Sequence, residues 1–275
     1  MIIAKSKKIK NKVLLPFRWA GGKYYALKIL RRFWEKVKHD EYREPFLGGG
    51  SVFWAKDQVQ YNWINDIDED LIFTLNFIAN STKRDKLLKL FNNEIEASRE
   101  QHSRVKSIDP KTELERAYRY YYLNRTSFSG KMKNPSWGYK PKRSLPPPRW
   151  KERIIPCSKK LEGVKLTCTD FETVINAPAK GKNVLLFLDP PYYKAKQENH
   201  YVKSFKNDDH IRLAKVLKKT KHNFFLTYDD CQEVRDLYKW GNIYEINFFY
   251  RLDNSNDNEK KRKKGNELVI TNFKA

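Results

Sequence analysis

The chain has 275 residues, 40% apolar and 14% aromatic, enough to bury a substantial core in one large domain or one domain with an insertion, which excludes a disordered tail. Its 56 Lys and Arg outweigh 33 Asp and Glu by a formal +23, the electrostatic footprint of a polyanion binder, so nucleic acid is the leading partner. The longest apolar run, Val184 to Leu188, is far short of the roughly 20 residues of a membrane span, and the lysine-rich start lacks the apolar stretch of a signal peptide. Three cysteines without C-x-x-C spacing, and five histidines without H-E-x-x-H, argue against a disulfide framework and against a bound metal. A cytoplasmic protein with no membrane partner is expected.

In chain order, Lys5 to Lys12 is a basic leader and Gly22 to Val37 carries an amphipathic helical pattern. A strand at Tyr42 to Phe46 runs into Leu47-Gly48-Gly49-Gly50 and a helix from Ser51; a second strand, Gln60 to Ile64, ends at Asn65-Asp66. Ser81 to Val105 and Thr112 to Phe128 read as polar helices. Ser129 to Trp150 has turn residues, prolines and cations but no period, with Pro146 to Pro148 expected to be stiff and extended. Strands resume at Val164 to Cys168, Val184 to Leu188, Asn223 to Tyr228, Ile243 to Tyr250 and Glu267 to Phe273, with a helix at Asp208 to Lys218. The pattern predicts an α/β fold: a Rossmann-like, mostly parallel sheet closed by an antiparallel hairpin, whose loop holds the run Lys260 to Lys264. Residues 1–76 and 163–275 would form this discontinuous domain and 77–162 a mainly helical insertion, which holds 21 basic against 9 acidic residues.

Three motifs carry chemistry. Glycines 48 to 50, where a first strand turns into its helix, let the backbone approach a ligand, and the absence of a G-K-[ST] ending argues against a P-loop. Asp66, at the end of the next strand, is placed either to accept a ribose diol or to cap the helix that Asp68-Glu69-Asp70 would open. Asp189-Pro190-Pro191-Tyr192 follows an apolar strand; its prolines end the strand and hold a rigid acceptor loop at the sheet's carboxyl edge. The Asp189 carboxylate and Pro190 carbonyl suit the two protons of an exocyclic amine, and Tyr192 offers a face for a base.

These motifs, with Pro16 to Lys23, Leu123 to Gly130 and Thr169-Asp170-Phe171, stand in an order that resembles the alpha-group, Dam-like adenine-N6 DNA methyltransferases over nearly the whole length. The resemblance implies S-adenosyl-L-methionine as cofactor, with Trp19 and Lys23 at its methionine end, Phe46, Gly48 and Gly50 along it, Asp66 on the ribose, Asp170 and Phe171 on the adenine, and Asp189 beside the methyl. It implies that 77–162 recognises double-stranded DNA through Arg125, Phe128, Ser129, Lys131, Lys133, Trp137, Lys140, Lys142 and Arg143. It also implies direct transfer to a flipped adenine, a bacterial, archaeal or phage origin, and a possible cognate restriction endonuclease. No cysteine lies in a Pro-Cys loop, which disfavours attack on a cytosine ring. Cytosine-N4, RNA or protein-amide methylation needs similar acceptors, and a catalytically inactive DNA-binding relative would keep the fold; Asp at 189 and the basic insertion weigh against the former, and the intact motifs against the latter.

Overall fold

The computed structural model describes residues 14–92, 95–194, 204–250 and 263–275. Seven strands, β1 (Glu41–Glu44), β2 (Tyr61–Asn65), β3 (Val164–Thr167), β4 (Val184–Leu188), β5 (Asn223–Asp229), β6 (Asn242–Tyr250) and β7 (Lys263–Thr271), form one sheet in the order β3-β2-β1-β4-β5-β7-β6. The first five are parallel and the last two form an antiparallel hairpin, as the sequence pattern predicts, with β7 lying between β5 and β6. The chain runs outward from β1 to β2 and β3, then restarts at β4 on the other flank of β1. The carboxyl ends of β1 and β4 therefore open a crevice at the switch point, where open α/β sheets bind ligands.

The helices are α1 (Leu27–Lys36), α2 (Ser51–Ala55), α3 (Glu69–Ala79), α4 (Ser81–Asn92), α5 (Arg99–Lys106), α6 (Glu113–Thr126), α7 (Lys151–Lys160), α8 (Phe171–Asn176), α9 (Asn207–Lys219) and α10 (Gln232–Leu237). All five residues of β4 are buried. Leu185 and Phe187 enter one core with Leu30, Phe33 and Leu75, while Val184, Leu186 and Leu188 enter the other with Leu213, Leu217 and Phe224. This alternation, with helices on both faces, is why the strand reads as an unbroken apolar run.

The insertion is built around Trp150, fully buried and 4.8 Å from Phe91, 5.6 Å from Tyr121 and 5.7 Å from Tyr122 by ring centroids. The same apolar cluster continues through Leu75 of α3 to Leu185 of β4, so the insertion shares the sheet's core. α3 carries the chain past residue 77, where the sequence reading begins the insertion, to Ala79. α6 opens with a capping box of Thr112 and Glu115. It is far less polar in place than in sequence: from Ala117 onward it is almost wholly buried, because Tyr120, Tyr121 and Tyr122 bury their whole side chains.

Other expectations are corrected. Ser81 to Val105 is two helices, α4 and α5, with the cap Ser98 accepting from Gln101 N at 3.1 Å. Pro147–Arg149 forms a 3-10 turn; only Pro146 is extended. Three helices, α7, α8 and α10, went unread. α7 holds Pro156 at its sixth residue, a signal that normally breaks a helix, and α8 and α10 are too short to show a period. Lys263 and Lys264 lie in β7 rather than in a loop, whereas Lys5 to Lys12 and 260–262 fall outside the described residues.

Candidate active site

A cavity of about 490 Å³ occupies the switch-point crevice, within the range of small-molecule sites. Its walls include Trp19, Lys23, Phe46, Gly48, Gly50, Asp66, Asp170, Phe171, Asp189, Pro191 and Tyr192, all expected at the site. Pro190 is buried and is not among the lining residues.

After β1, Gly48 and Gly50 take left-handed conformations, with φ of 47° and 64°. The indole of Trp19 lies against this turn: a Cβ on Gly48 would stand 2.9 Å from its Nε1, and one on Gly49 2.7 Å from its Cβ. Glycine is thus required twice over, by backbone conformation and by the tryptophan. Asp66 Oδ2 accepts from Gly48 N at 2.7 Å and Oδ1 from Asp68 N at 2.9 Å. The cap of α3 is Asp68, which accepts from Leu71 N, so Asp66 is not the helix cap. Burial raises the Asp66 carboxyl to about 6. Beneath it, burial also raises Glu44 well above the carboxylate range, and Glu44 accepts from Tyr42 OH at 2.6 Å.

Across the crevice, Asp189 begins the loop after β4. Its Oδ1 accepts from Thr227 Oγ1 at 2.7 Å and pairs with Lys23 Nζ at 2.8 Å; both of these contacts leave Oδ2 unused. The buried Lys23 also donates to Gly21 O at 3.1 Å and stands 4.6 Å from the Tyr192 ring centre. The lysine that the resemblance assigns to the cofactor is here paired with the aspartate. Asp229, at the end of β5, holds the same loop by accepting from Tyr193 N at 2.9 Å and Lys194 N at 2.8 Å. Below, His210 Nδ1 lies 2.6 Å from Tyr228 OH, and burial pushes its pKa down to about 4, so the ring is neutral near pH 7.

The third corner is aromatic. Phe46 lies 5.3 Å from Phe171 and 5.6 Å from Phe205, with Phe171 and Phe205 5.7 Å apart. A ring inserted between Phe46 and Phe171 would need roughly 7 Å, twice the carbon contact distance, so a ligand base must lie along the trio instead of inside it. Asp170 caps α8, accepting from Glu172 N at 2.9 Å.

Of the residues expected at DNA, Lys131 reaches the cavity wall, Phe128 is 44% exposed, and Lys133, Lys140, Lys142 and Arg143 are exposed. Ser129 has φ 55°, and the turn it forms is fastened to the N-terminal motif: Asn124 accepts from Arg18 N at 2.8 Å and donates to Arg18 O and Gly130 O. Arg125 is corrected. It is buried, its charge disfavoured by burial, and its carbonyl accepts from Arg18 Nη1, so its guanidinium is withdrawn from the surface. Trp137 is half-buried edge-on to His102 and Tyr139 is buried, which makes both packing groups within the insertion.

Thr227, Asp229, Phe205, His210 and Arg212 were missed by sequence reasoning. The signal for Asp229 was present, an acid ending an apolar strand as Asp66 and Asp189 do; Thr227, His210 and Arg212 sit in ordinary strand or helix patterns, and Phe205 in the loop before α9.

The doubly wound sheet, with its glycine turn, second-strand acid and Asp-Pro-Pro-Tyr loop around one cavity, defines a Rossmann-like methyltransferase. The chain belongs to the family of D12 class N6 adenine-specific DNA methyltransferases, whose profile matches residues 19–252. Its chemistry is methylation of adenine in DNA. Similar proteins include the type II methyltransferase M1.LlaDCHI of Lactococcus lactis subsp. cremoris, 27% identical over 96% of this chain and 98% of its own. The type II methyltransferase M.MjaIII of Methanocaldococcus jannaschii is 29% identical over 94% and 99%, and the DNA adenine methylase of Escherichia coli 27% over 75% and 76%. No described helix is long and apolar enough to cross a membrane.

Proposed function

We propose that the chain is a site-specific methyltransferase that takes its methyl group from S-adenosyl-L-methionine and acts on an adenine flipped out of double-stranded DNA. The observation that carries this reading is the placement of the Asp189 acceptor loop opposite the glycine turn and Asp66, in one cavity. The residues fit the cofactor: the glycine turn lines the cavity, Asp66 presents a carboxylate to a diol, and the phenylalanine trio offers an apolar surface to a purine. When bound, the cofactor supplies an electrophilic methyl group on a sulfonium.

The chain's own groups prepare the nucleophile. Asp189 Oδ2 accepts one N–H of the adenine amino group and the Pro190 carbonyl the other, which localises the nitrogen lone pair for in-line attack. Lys23 and Thr227, both on Oδ1, hold the carboxylate in that orientation. Tyr192 supports the base, and stacking there with phosphate contacts from the insertion offsets a flipping cost of a few kcal/mol. Residues 77–162 act as the target-recognition region, with Phe128 and Ser129 towards base edges and Lys131, Lys133, Lys140, Lys142 and Arg143 towards phosphates. A cognate endonuclease is consistent with relatives that are type II methyltransferases.

Methylation-aware sequencing of a methylase-free host expressing this chain tests the whole reading. N6-methyladenine confined to one short sequence is expected; unmodified DNA, or N4-methylcytosine, would overturn it.

A separate prediction concerns Asp66. Asp66→Ala weakens cofactor binding, measured by calorimetry, about tenfold or more, since a hydrogen bond to a charged group contributes about 1.5–3 kcal/mol, and leaves DNA affinity unchanged. Because the carboxyl titrates at about 6, affinity holds above that pH and declines below it as the acceptor takes a proton. A flat profile from pH 5 to 8 would remove Asp66 from the ribose.

A further inference from the structure

Arg212, on α9, is engaged by three carboxylates. Its Nη1 and Nη2 grip Asp170 Oδ1 and Oδ2 at 2.7 and 2.8 Å, with Glu172 Oε2 and Asp209 Oδ1 each at 3.2 Å. Its guanidinium carbon lies 4.1 Å from the centre of the Phe171 ring. One side chain thus fixes two consecutive residues of the cavity wall, an acid and an aromatic. The fork also limits what Asp170 can do. Oδ1 is occupied by Arg212 and by Glu172 N, whereas Oδ2 takes only the second guanidinium bond among these contacts. A carboxylate oxygen accepts about two bonds, so Oδ2 keeps one acceptor direction, and the Arg212 bonds lower the carboxyl below its ordinary value. An ionised oxygen with one remaining direction recognises a donor and rejects an acceptor.

We propose that Arg212 is a positioning residue for base selection in the cofactor subsite: it orients Asp170 so that the wall accepts a nucleoside carrying a 6-amino group and rejects one carrying a 6-keto group. The inference rests on the assignment of this cavity to an adenosine-containing cofactor. Adenine presents an N–H donor at that position; hypoxanthine presents a carbonyl, which would face the carboxylate with no proton between them. Selectivity of this kind depends on a fixed acceptor, because a carboxylate free to rotate can swing away and let water intervene. Lysine cannot substitute fully, since a single ammonium lacks the planar fork that sets the carboxylate plane.

The test is equilibrium binding, without turnover. Calorimetry measures S-adenosylhomocysteine and S-inosylhomocysteine against the full-length wild type, Arg212→Lys and Arg212→Met, with thermal melts to verify folding and a DNA titration as control. Wild type should prefer the adenine ligand by at least about tenfold. Arg212→Met should bring the ratio to within about threefold, mainly by weakening the adenine ligand, with DNA affinity unchanged; Arg212→Lys should fall between. An undiminished ratio in folded Arg212→Met would overturn the proposal, as would a wild type that binds both ligands equally. A wild type that binds neither would instead overturn the underlying cofactor assignment, and the inference with it.

Discussion

Asp189→Ala lowers the rate of methyl transfer by about 10²- to 10³-fold or more, because a preorganised acceptor for the reacting amino group is lost. DNA binding at low salt should be retained, since the exposed cations that the proposed function assigns to phosphate lie in the insertion and are untouched by the change. The mutation has a second consequence. Lys23, only 5% exposed, loses the Asp189 carboxylate, and removing one partner of a largely buried ion pair destabilises the fold. With Asp189 itself 21% exposed, the cost is about 1–3 kcal/mol, less than for a fully buried pair, and a thermal melt would record it. Asp189→Asn separates the two effects. Its oxygen can still accept from Thr227 and Lys23 while an NH2 donor replaces the acceptor Oδ2, so it should lose rate with less disturbance of the loop. Single-turnover assays with labelled cofactor read the rate directly, and turnover within tenfold of wild type in Asp189→Ala would sink the catalytic assignment.

Replacing Lys140, Lys142 and Arg143 together by Ala should weaken binding to every duplex and flatten the dependence of affinity on salt. Each phosphate contact contributes a slope of about 0.9, so three lost contacts remove up to about 2.7 units. All three side chains are exposed in the segment that starts from Lys131 at the cavity wall, so under the proposed function they would meet phosphates beside the crevice. Cofactor affinity should not change. Phe128→Ala should act differently, altering the ratio between target and near-cognate sites, since groups at base edges carry sequence information and groups at phosphates do not. Salt titrations on target and scrambled duplexes distinguish the two. An unaltered slope in the triple variant would make the cluster a solvated face and move the DNA surface elsewhere.

Much of the sheet was legible because its signals are local. β4 is an apolar run ended by two prolines, the glycine turn follows a short strand, and the last two strands lack an intervening helix. The helices of the insertion were harder to read. Their cores are tyrosine and tryptophan, which look half-polar in sequence, and α7 contains a proline at a position where the helix is held by the burial of Ile154 and Cys157.

What the sequence determined by itself was the set of chemical groups and their order: a glycine turn, an acid at the end of β2, an acceptor loop after β4 and a basic insertion between them. Each depends on residue type and on spacing within a few positions, which the chain carries regardless of how it packs. Only the tertiary structure decided how those groups are paired. It placed Lys23 against Asp189, assigned the α3 cap to Asp68 and so left Asp66 to the cavity, buried Arg125, and set Arg212 of α9 on Asp170 and Phe171. Lys23 and Asp189 are far apart in the chain, as are Asp170 and Arg212, and nothing in either local pattern specifies the other. Contacts of that range follow from strand order and from which face of a helix is buried, and so they exist only once the sheet has assembled.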